Sequence, residues 1–328
     1  MRYCVLGAGS WGTTFAQMLK DEGKEVHVWA RREEVVELIN CKGRNPYTGD
    51  LELSVHATGD VNRCIDSSDV VVIAIPTQHI REILETIRAD VRKVLNLSKG
   101  LEVSTGKRIS QIVSEVLNAP YCVLSGPSHA EEVMRKLPTA VTVAGDFAEE
   151  VQRDLNTRTF RVYTVDDVVG VEIAGALKNV MAIAAGILDG LGGWDNAKAA
   201  LMTRALYEMV KYGVQFGAKP YTFMGLAGIG DLMVTCNSRY SRNRWFGERI
   251  GNGENPQTLL SSMKMVAEGA YTVKAVVKVA EKLGLDMPIS REVYKIIYEG
   301  KSPLASMKDL MSRAPKPEME ILKELKKF

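Results

Sequence analysis

The chain has 328 residues, 46% of them hydrophobic and 25% charged, with a formal net charge of +2. That length suits two domains with separate cores, and the near-neutral balance gives no reason to invoke nucleic acid or an anionic membrane surface. Five cysteines (Cys4, Cys41, Cys64, Cys122 and Cys236) lack C-x-x-C spacing and the four histidines do not pair at ligand spacing, so reduced thiols, a cytoplasmic location and no metal site are expected.

Tyr3 to Arg32 reads as strand, glycine turn, helix and strand in about 30 residues, the size of a βαβ unit. The run Tyr3-Cys4-Val5-Leu6 leads into Gly7-Ala8-Gly9-Ser10-Trp11-Gly12, and it leaves no room for a signal peptide ahead of it. Apolar positions then recur at helical spacing to Leu19, and Glu25 to Trp29 reads as the second strand. Gly7 permits the tight turn, Gly9 lets backbone approach a pyrophosphate, and Gly12 lets the helix pack on the sheet. Free N–H groups at the helix start favour a phosphate anion. The context predicts a dinucleotide site, with a plain strand-to-helix turn as the alternative.

An NAD site usually has Asp or Glu about 20 residues on, for the ribose hydroxyl. Here the sequence is Trp29-Ala30-Arg31-Arg32. Two guanidinium groups suit a 2′-phosphate, which leans towards NADP without excluding NAD. The competing reading is a pair of solvated charges offset by Glu33 and Glu34.

Glu33 to Asn40 reads as a short helix, residues 43–50 as a loop, and Ser54 to Thr58 as a short strand. The apolar run from Asp69 to Pro76 suggests a central parallel strand, followed by a helix from Ile80 to Ala89. Val94 to Ser98 is another strand and delivers Lys99-Gly100 to its carboxyl end, where such sheets bind ligands. Lys99 is thus a candidate phosphate or cofactor contact, or else an exposed strand-end lysine. Thr105 to Leu117 is helical, and the strand from Tyr121 to Leu124 opens into Ser125-Gly126-Pro127-Ser128-His129-Ala130-Glu131-Glu132. That stretch offers a second anion or cofactor seat, or a helix cap by Ser128 with Glu131 completing a capping box. His129 reads as structural. Thr139 to Ala144 and Phe160 to Thr164 are strands flanking a helix from Phe147 to Asn156, and the alternation stops near Val165.

Helical pattern dominates beyond it. Val168 to Leu191 is almost wholly apolar, but Glu172, Lys178, Asn179, Asp189 and the glycines argue against a membrane span and for a buried central helix. An ammonium there responds to desolvation by lowering its pKa, which suits Lys178 to proton transfer. The other reading is a stem that snorkels to the surface. Ala197 to Tyr212 is amphipathic, and the glycine-rich turn from Gly225 presents Asp231. Ser238-Arg239-Tyr240-Ser241-Arg242-Asn243-Arg244 can surround a phosphate, or form a solvated basic loop. Further helices run from Val266 to Leu283 and from Asp286 to Tyr298, and residues 304–328 look peripheral.

Several motifs, in order along nearly the whole chain, resemble the bacterial NAD(P)-dependent glycerol-3-phosphate dehydrogenases. They are Gly7-Ala8-Gly9-Ser10-Trp11-Gly12-Thr13, Ser98-Lys99-Gly100, Ser125-Gly126-Pro127-Ser128, Leu177-Lys178-Asn179, Gly230-Asp231-Leu232 and Ser241-Arg242-Asn243. The resemblance implies a Rossmann-type α/β dinucleotide-binding domain over residues 1–165. An all-α substrate domain of the 6-phosphogluconate-dehydrogenase-like kind would follow over 166–328. It implies reversible reduction of dihydroxyacetone phosphate to sn-glycerol 3-phosphate, a phospholipid precursor. Ser10, Trp11, Arg31, Arg32, Ala130, Val266 and Glu268 would line the cofactor. Lys178 would be the acid–base residue, with Asn179 and Asp231 fixing its position. Lys99, Gly126, Ser128, Asp231, Ser241, Arg242 and Asn243 would hold substrate, Lys99 and Arg242 also touching cofactor. The chain departs from the family's pattern at Asn45-Pro46-Tyr47-Thr48-Gly49, so no cofactor contact is carried over from residues 45–53. The rival readings are a β-hydroxyacid dehydrogenase and a dinucleotide-sensing module without turnover. Apolar surface on the helical half could support a dimer.

Overall fold

The computed structural model describes residues 1–66, 68–263 and 266–318. Its first half is one sheet of eight strands: β1 (Tyr3–Leu6), β2 (Val26–Trp29), β3 (His56–Thr58), β4 (Val70–Ile73), β5 (Val94–Asn96), β6 (Tyr121–Ser125), β7 (Thr139–Gly145) and β8 (Phe160–Thr164). Their order is β3-β2-β1-β4-β5-β6-β7-β8. Each neighbouring pair is parallel except β6–β7, which is antiparallel with Leu124 opposite Val143. The strand order reverses between β1 and β4, and the crevice above such a switch point is where a doubly wound sheet binds its ligand. Both strands are buried throughout, as a sheet covered by helices on both faces requires.

Cys4 in β1 and Cys64 in the Val61–Asp66 helix form a disulfide, with Cα atoms 5.5 Å apart. This corrects the expectation of a reduced thiol at Cys4. The two residues lie 60 positions apart in sequence, and only the packing of that helix beneath β1 joins them. Cys122 and Cys236 are free and buried, and Cys41 is free and exposed.

The second half is helical and wraps one central helix, Val168–Leu191, which is buried without a break from Gly170 to Ile187. Its apolar window, of mean hydropathy 1.6, is long enough for a bilayer, but 83% of that window is buried in protein. Helices Asp195–Val214, Arg242–Gly251, Glu268–Leu283 and Pro288–Tyr298 pack around it. The Arg242–Gly251 helix approaches most closely, through glycines on both sides. A Cβ on Gly186 would meet the Arg244 carbonyl oxygen at 1.9 Å, and one on Gly247 would meet that of Ile183 at 2.1 Å. Backbone-to-backbone contact of this kind sets the start of the Arg242 helix against the middle of the central helix. Pro303–Met311 is a further helix, and residues 319–328 of the peripheral tail lie outside the described residues.

The halves are joined at Glu172, one turn into the central helix. Its carboxylate accepts from Arg108 Nη1 at 2.7 Å, from Ser110 N at 2.7 Å, from Ser110 Oγ at 2.6 Å and from Tyr121 Oη at 2.7 Å. All of the donors belong to the sheet half. A buried carboxylate is tolerated only with its charge and lone pairs met, and removing the cation strands the anion. Arg108→Met is therefore expected to cost about 3–5 kcal/mol in urea unfolding, and Tyr121→Phe about 1–2 kcal/mol. A cost for Arg108→Met near zero would remove Glu172 as the junction.

Candidate active site

The helix after β1, Ser10–Asp21, starts from Gly9 with no side-chain cap and no acidic residue in its first turn. Its leading N–H groups keep their partial positive charge for an incoming anion. Gly7 sits at φ 118°, and a Cβ there would lie 2.5 Å from the Ala74 carbonyl oxygen. At Gly12 a Cβ would meet the Gly7 carbonyl oxygen at 2.1 Å, whereas at Gly9 it would meet nothing. Turn, open approach and close helix packing thus fall to the three glycines as the motif predicts. Ser10 Oγ is buried without a hydrogen-bond partner, and Trp11 is half-buried beside Phe15.

Arg31 and Arg32 are exposed at the end of β2. Arg32 donates to Tyr47 Oη and lies over the Tyr47 ring at 5.3 Å. The loop over residues 45–53 is therefore part of this face, although sequence reasoning assigned nothing to it. Asn45 is buried and donates to the Ala8 carbonyl oxygen at 3.0 Å and to Thr13 Oγ1 at 2.8 Å, buttressing the glycine turn from outside.

Across the crevice a carboxylate is held between two ammonium groups. Asp231, the first residue of the Asp231–Asn237 helix, is 1% exposed. Its Oδ1 accepts from Lys178 Nζ at 2.6 Å and its Oδ2 from Lys99 Nζ at 2.6 Å. Lys178 also reaches Thr235 Oγ1 at 2.8 Å, one turn along the same helix, and Thr235 Oγ1 donates to the Asp231 carbonyl oxygen at 2.5 Å. Lys99 further donates to the Gly126 carbonyl oxygen at 3.3 Å, and Ser125 Oγ stands 3.4 Å from Asp231 Oδ2. Burial alone would raise the Asp231 carboxyl, but the two ammonium groups outweigh it and lower its pKa. Burial is also the largest influence on Lys178. With Lys99 adding repulsion and Asp231 pulling back, the ammonium is lowered to about 8. Lys178 does not snorkel; it is buried and ion-paired.

The Arg242 helix closes the third side. Ser241 is its cap, accepting from Arg244 N at 3.2 Å. Of the three arginines in that motif, Arg244 turns away to Asp189 at 2.6 Å, and Arg239 stacks on Tyr240. Arg242 is exposed at the start of this helix with Glu268 and Glu131 near it, and desolvation by the surrounding protein lowers its pKa against their pull. Asn243 Nδ2 donates to Asn179 Oδ1 at 3.0 Å, and its Oδ1 accepts from Gly269 N at 2.9 Å. Asn179 therefore positions Asn243; of the two residues expected to fix Lys178, Asp231 does so, and Thr235 stands in the place of Asn179. Val266 is half-buried just ahead of the Glu268–Leu283 helix, and Ala130 is buried at the start of Ala130–Val133.

Ser128 is not the cap of the Ala130 helix. That position belongs to His129, without a side-chain cap, and Ser128 Oγ donates to the Gly126 carbonyl oxygen at 3.1 Å. The capping box fails because the helix starts two residues after Ser128, beyond reach of its hydroxyl. Gly126 is held at φ 148°, with Val141 Cα 2.9 Å from any added Cβ.

Four unpartnered buried oxygens mark the cleft: Ser10 Oγ, Thr77 Oγ1, Thr272 Oγ1 and Glu268 Oε2. Thr77 and Thr272 flank Gly100, where a Cβ would lie 2.6 and 3.3 Å from their hydroxyls. Burial raises the Glu268 carboxyl to about 7, against the pull of Arg242 and of the Thr77 N–H. An uncapped helix start, open space over Gly9 and stranded polar atoms fit a dinucleotide rather than an apolar ligand. Among the described residues no His, Cys, Asp or Glu cluster is placed to hold a metal.

Comparison with known proteins gives the same outline. The model for the N-terminal part of NAD-dependent glycerol-3-phosphate dehydrogenases matches residues 2–158, and that for the C-terminal part matches 167–308. A glycerol-3-phosphate dehydrogenase [NAD(P)+] of Thermotoga sp. (strain RQ2) is 63% identical over 318 residues, covering 97% of this chain and 99% of that protein. One of Lysinibacillus sphaericus is 47% identical over 98% of this chain and 99% of that protein. The crystal structure of glycerol-3-phosphate dehydrogenase from Coxiella burnetii superposes with a TM-score of 0.91 at 35% identity, covering 95% of this chain and 99% of that one. A ketopantoate reductase from Ralstonia eutropha, at 14% identity and TM-score 0.61 over 94% of this chain and 100% of that one, shares the fold. With both halves matched in order and the glycine turn and buried lysine in place, the chain belongs to the NAD-dependent glycerol-3-phosphate dehydrogenase family.

Proposed function

We propose that this enzyme reversibly reduces dihydroxyacetone phosphate to sn-glycerol 3-phosphate with NADPH or NADH, and that Lys178 is its proton donor. The observation that carries the reading is Lys178 Nζ, buried in an apolar helix and 2.6 Å from a carboxylate shared with a second lysine. The family assignment speaks against the hydroxyacid and sensor readings. When bound, the nicotinamide supplies or accepts hydride at the substrate's C2 carbon. This chain's residues do the rest. Lys178, as ammonium, stabilises negative charge on the C2 oxygen and gives it a proton; in the reverse direction neutral Lys178 takes that proton. Asp231 and Thr235 aim the lysine. Arg242, with Lys99, Ser241, Asn243 and the backbone from Gly126 to Ser128, seats the phosphate and so holds the carbonyl in line.

Gly7, Gly9, Ser10, Trp11 and Gly12 would take the cofactor's pyrophosphate, and Arg31 and Arg32 a 2′-phosphate. Ala130, Val266 and Glu268 would line the remainder, together with Lys99 and Arg242. We divide the domains at residues 165 and 166; the end of β8 at Thr164 and the helix starting at Val168 support that division. The product is a glycerophospholipid precursor. We place the enzyme in the cytoplasm without membrane insertion, where its small phosphorylated substrate and cofactor are found. Exposed Tyr221, Met224 and Met233 on the helical half support a homodimer.

Mixing the protein with dihydroxyacetone phosphate should oxidise NADPH rapidly, with unphosphorylated dihydroxyacetone giving far less. NADPH binding with no turnover on the phosphate would overturn the reading. Lys178→Ala should lower turnover by about 10²–10⁴-fold and leave cofactor affinity nearly unchanged; near-normal turnover would remove Lys178 from the chemistry. Arg242→Ala should raise KM for the phosphorylated substrate by about tenfold to a hundredfold, and an unchanged KM would count against the phosphate seat. The ammonium is the form needed for reduction, so reductive turnover should fall as pH rises through about 8 while oxidative turnover rises. A flat profile across that range would argue against Lys178 as the titrating acid.

A further inference from the structure

His129 lies beside this cleft and has no part in the chemistry proposed above. It stands between Ser128 and Ala130, with its ring 6.1 Å from that of Tyr240. Lys178 and Lys99 repel a proton on it, while Asp231 and a backbone hydrogen bond with Val234 favour one. Burial is the largest influence and brings the imidazole to about 4, so the ring is neutral near pH 7. Its Nε2 is buried with no hydrogen-bond partner. The neighbouring polar groups Lys178, Lys99, Asp231 and Ser128 all have one. A buried polar atom left unmet is costly, and a native protein tolerates it chiefly where a ligand or water completes it.

The substrate of the proposed reaction has three polar ends. Its phosphate needs cations, which Arg242 and Lys99 supply, and its C2 oxygen faces Lys178. The C1 hydroxyl has no partner among the residues assigned above. A hydroxyl both donates and accepts, so it can pair with a neutral ring nitrogen in either tautomer. A neutral ring adds nothing to a phosphate seat.

We propose that His129 is a substrate-specificity residue whose unpartnered Nε2 hydrogen-bonds the C1 hydroxyl of the three-carbon phosphate. The assignment rests on the reduction of dihydroxyacetone phosphate proposed above. His129 would then select a hydroxymethyl ketone over a methyl ketone carrying the same phosphate. A polar group left unpaired by the wrong substrate is what makes such discrimination large.

The test compares dihydroxyacetone phosphate with hydroxyacetone phosphate, which lacks only the C1 oxygen, using wild type, His129→Phe and His129→Gln. In wild type kcat/KM should favour dihydroxyacetone phosphate by about tenfold or more. In His129→Phe that preference should collapse towards unity, by loss on dihydroxyacetone phosphate alone, while NADPH affinity and thermal melting stay near wild type. His129→Gln, whose amide keeps a donor and an acceptor, should restore part of the preference. An equal fall on both substrates in His129→Phe, or an unchanged ratio, would overturn the role. A wild type inactive on both ketones would instead sink the underlying reaction, so the two failures read differently.

Discussion

One carboxylate between two ammonium groups organises this molecule. Asp231 would not ionise readily at 1% exposure without Lys178 and Lys99, and its charge in turn holds the proton on buried Lys178. The three arrive from three places: the carboxyl end of the sheet, the middle of the central helix and the start of a short helix. A buried ion cluster is weak evidence for stability, because desolvation opposes the attraction. What it supplies is a poised charge. Burial and Lys99 push the Lys178 proton off while Asp231 holds it on, leaving the ammonium at about 8. That value allows proton delivery and return near neutral pH.

The surrounding architecture serves to keep that geometry. Glu172 fastens the central helix to the sheet half with four hydrogen bonds, six positions before Lys178 on the same helix. Gly186 and Gly247 draw the Arg242 helix against it, at backbone contact. Asn243 then ties that helix to Asn179 beside Lys178 and to Gly269 on the Glu268 helix. Sheet, central helix and Arg242 helix are thereby held by short polar and glycine contacts, and an error of about an ångström in an active site is costly to turnover.

Much of this was legible because it is written locally. The glycine turn has its strand and helix on either side, and Lys178 stands out as a cation in an apolar helix. Asp231 on its glycine-rich turn and the donor-rich Arg242 segment were legible as candidates, and the family resemblance gave them roles; nothing in their spacing says that Asp231 meets both lysines. What escaped depends on distant residues meeting. The Cys4–Cys64 disulfide spans 60 positions, and the antiparallel turn of β7 against β6 leaves no mark on an apolar strand. Thr235 looks like any helical threonine until Lys178 reaches it. Ser128 satisfied a capping-box pattern, but the helix began at Ala130 and left its hydroxyl to Gly126. Asn45 lay in the loop where the family pattern breaks, yet its amide braces the glycine turn.

The central claim is that Asp231 sets the charge of a buried Lys178. Titration of the Lys178 side chain by NMR, with lysine carbon-13 labelled at Cε and the resonance assigned by substitution, measures this without turnover. The account predicts a midpoint near 8 in the wild type, and a lower one in Asp231→Asn, where burial and Lys99 act unopposed. A midpoint near the ordinary value of about 10.4, or one that Asp231→Asn leaves in place, would contradict it.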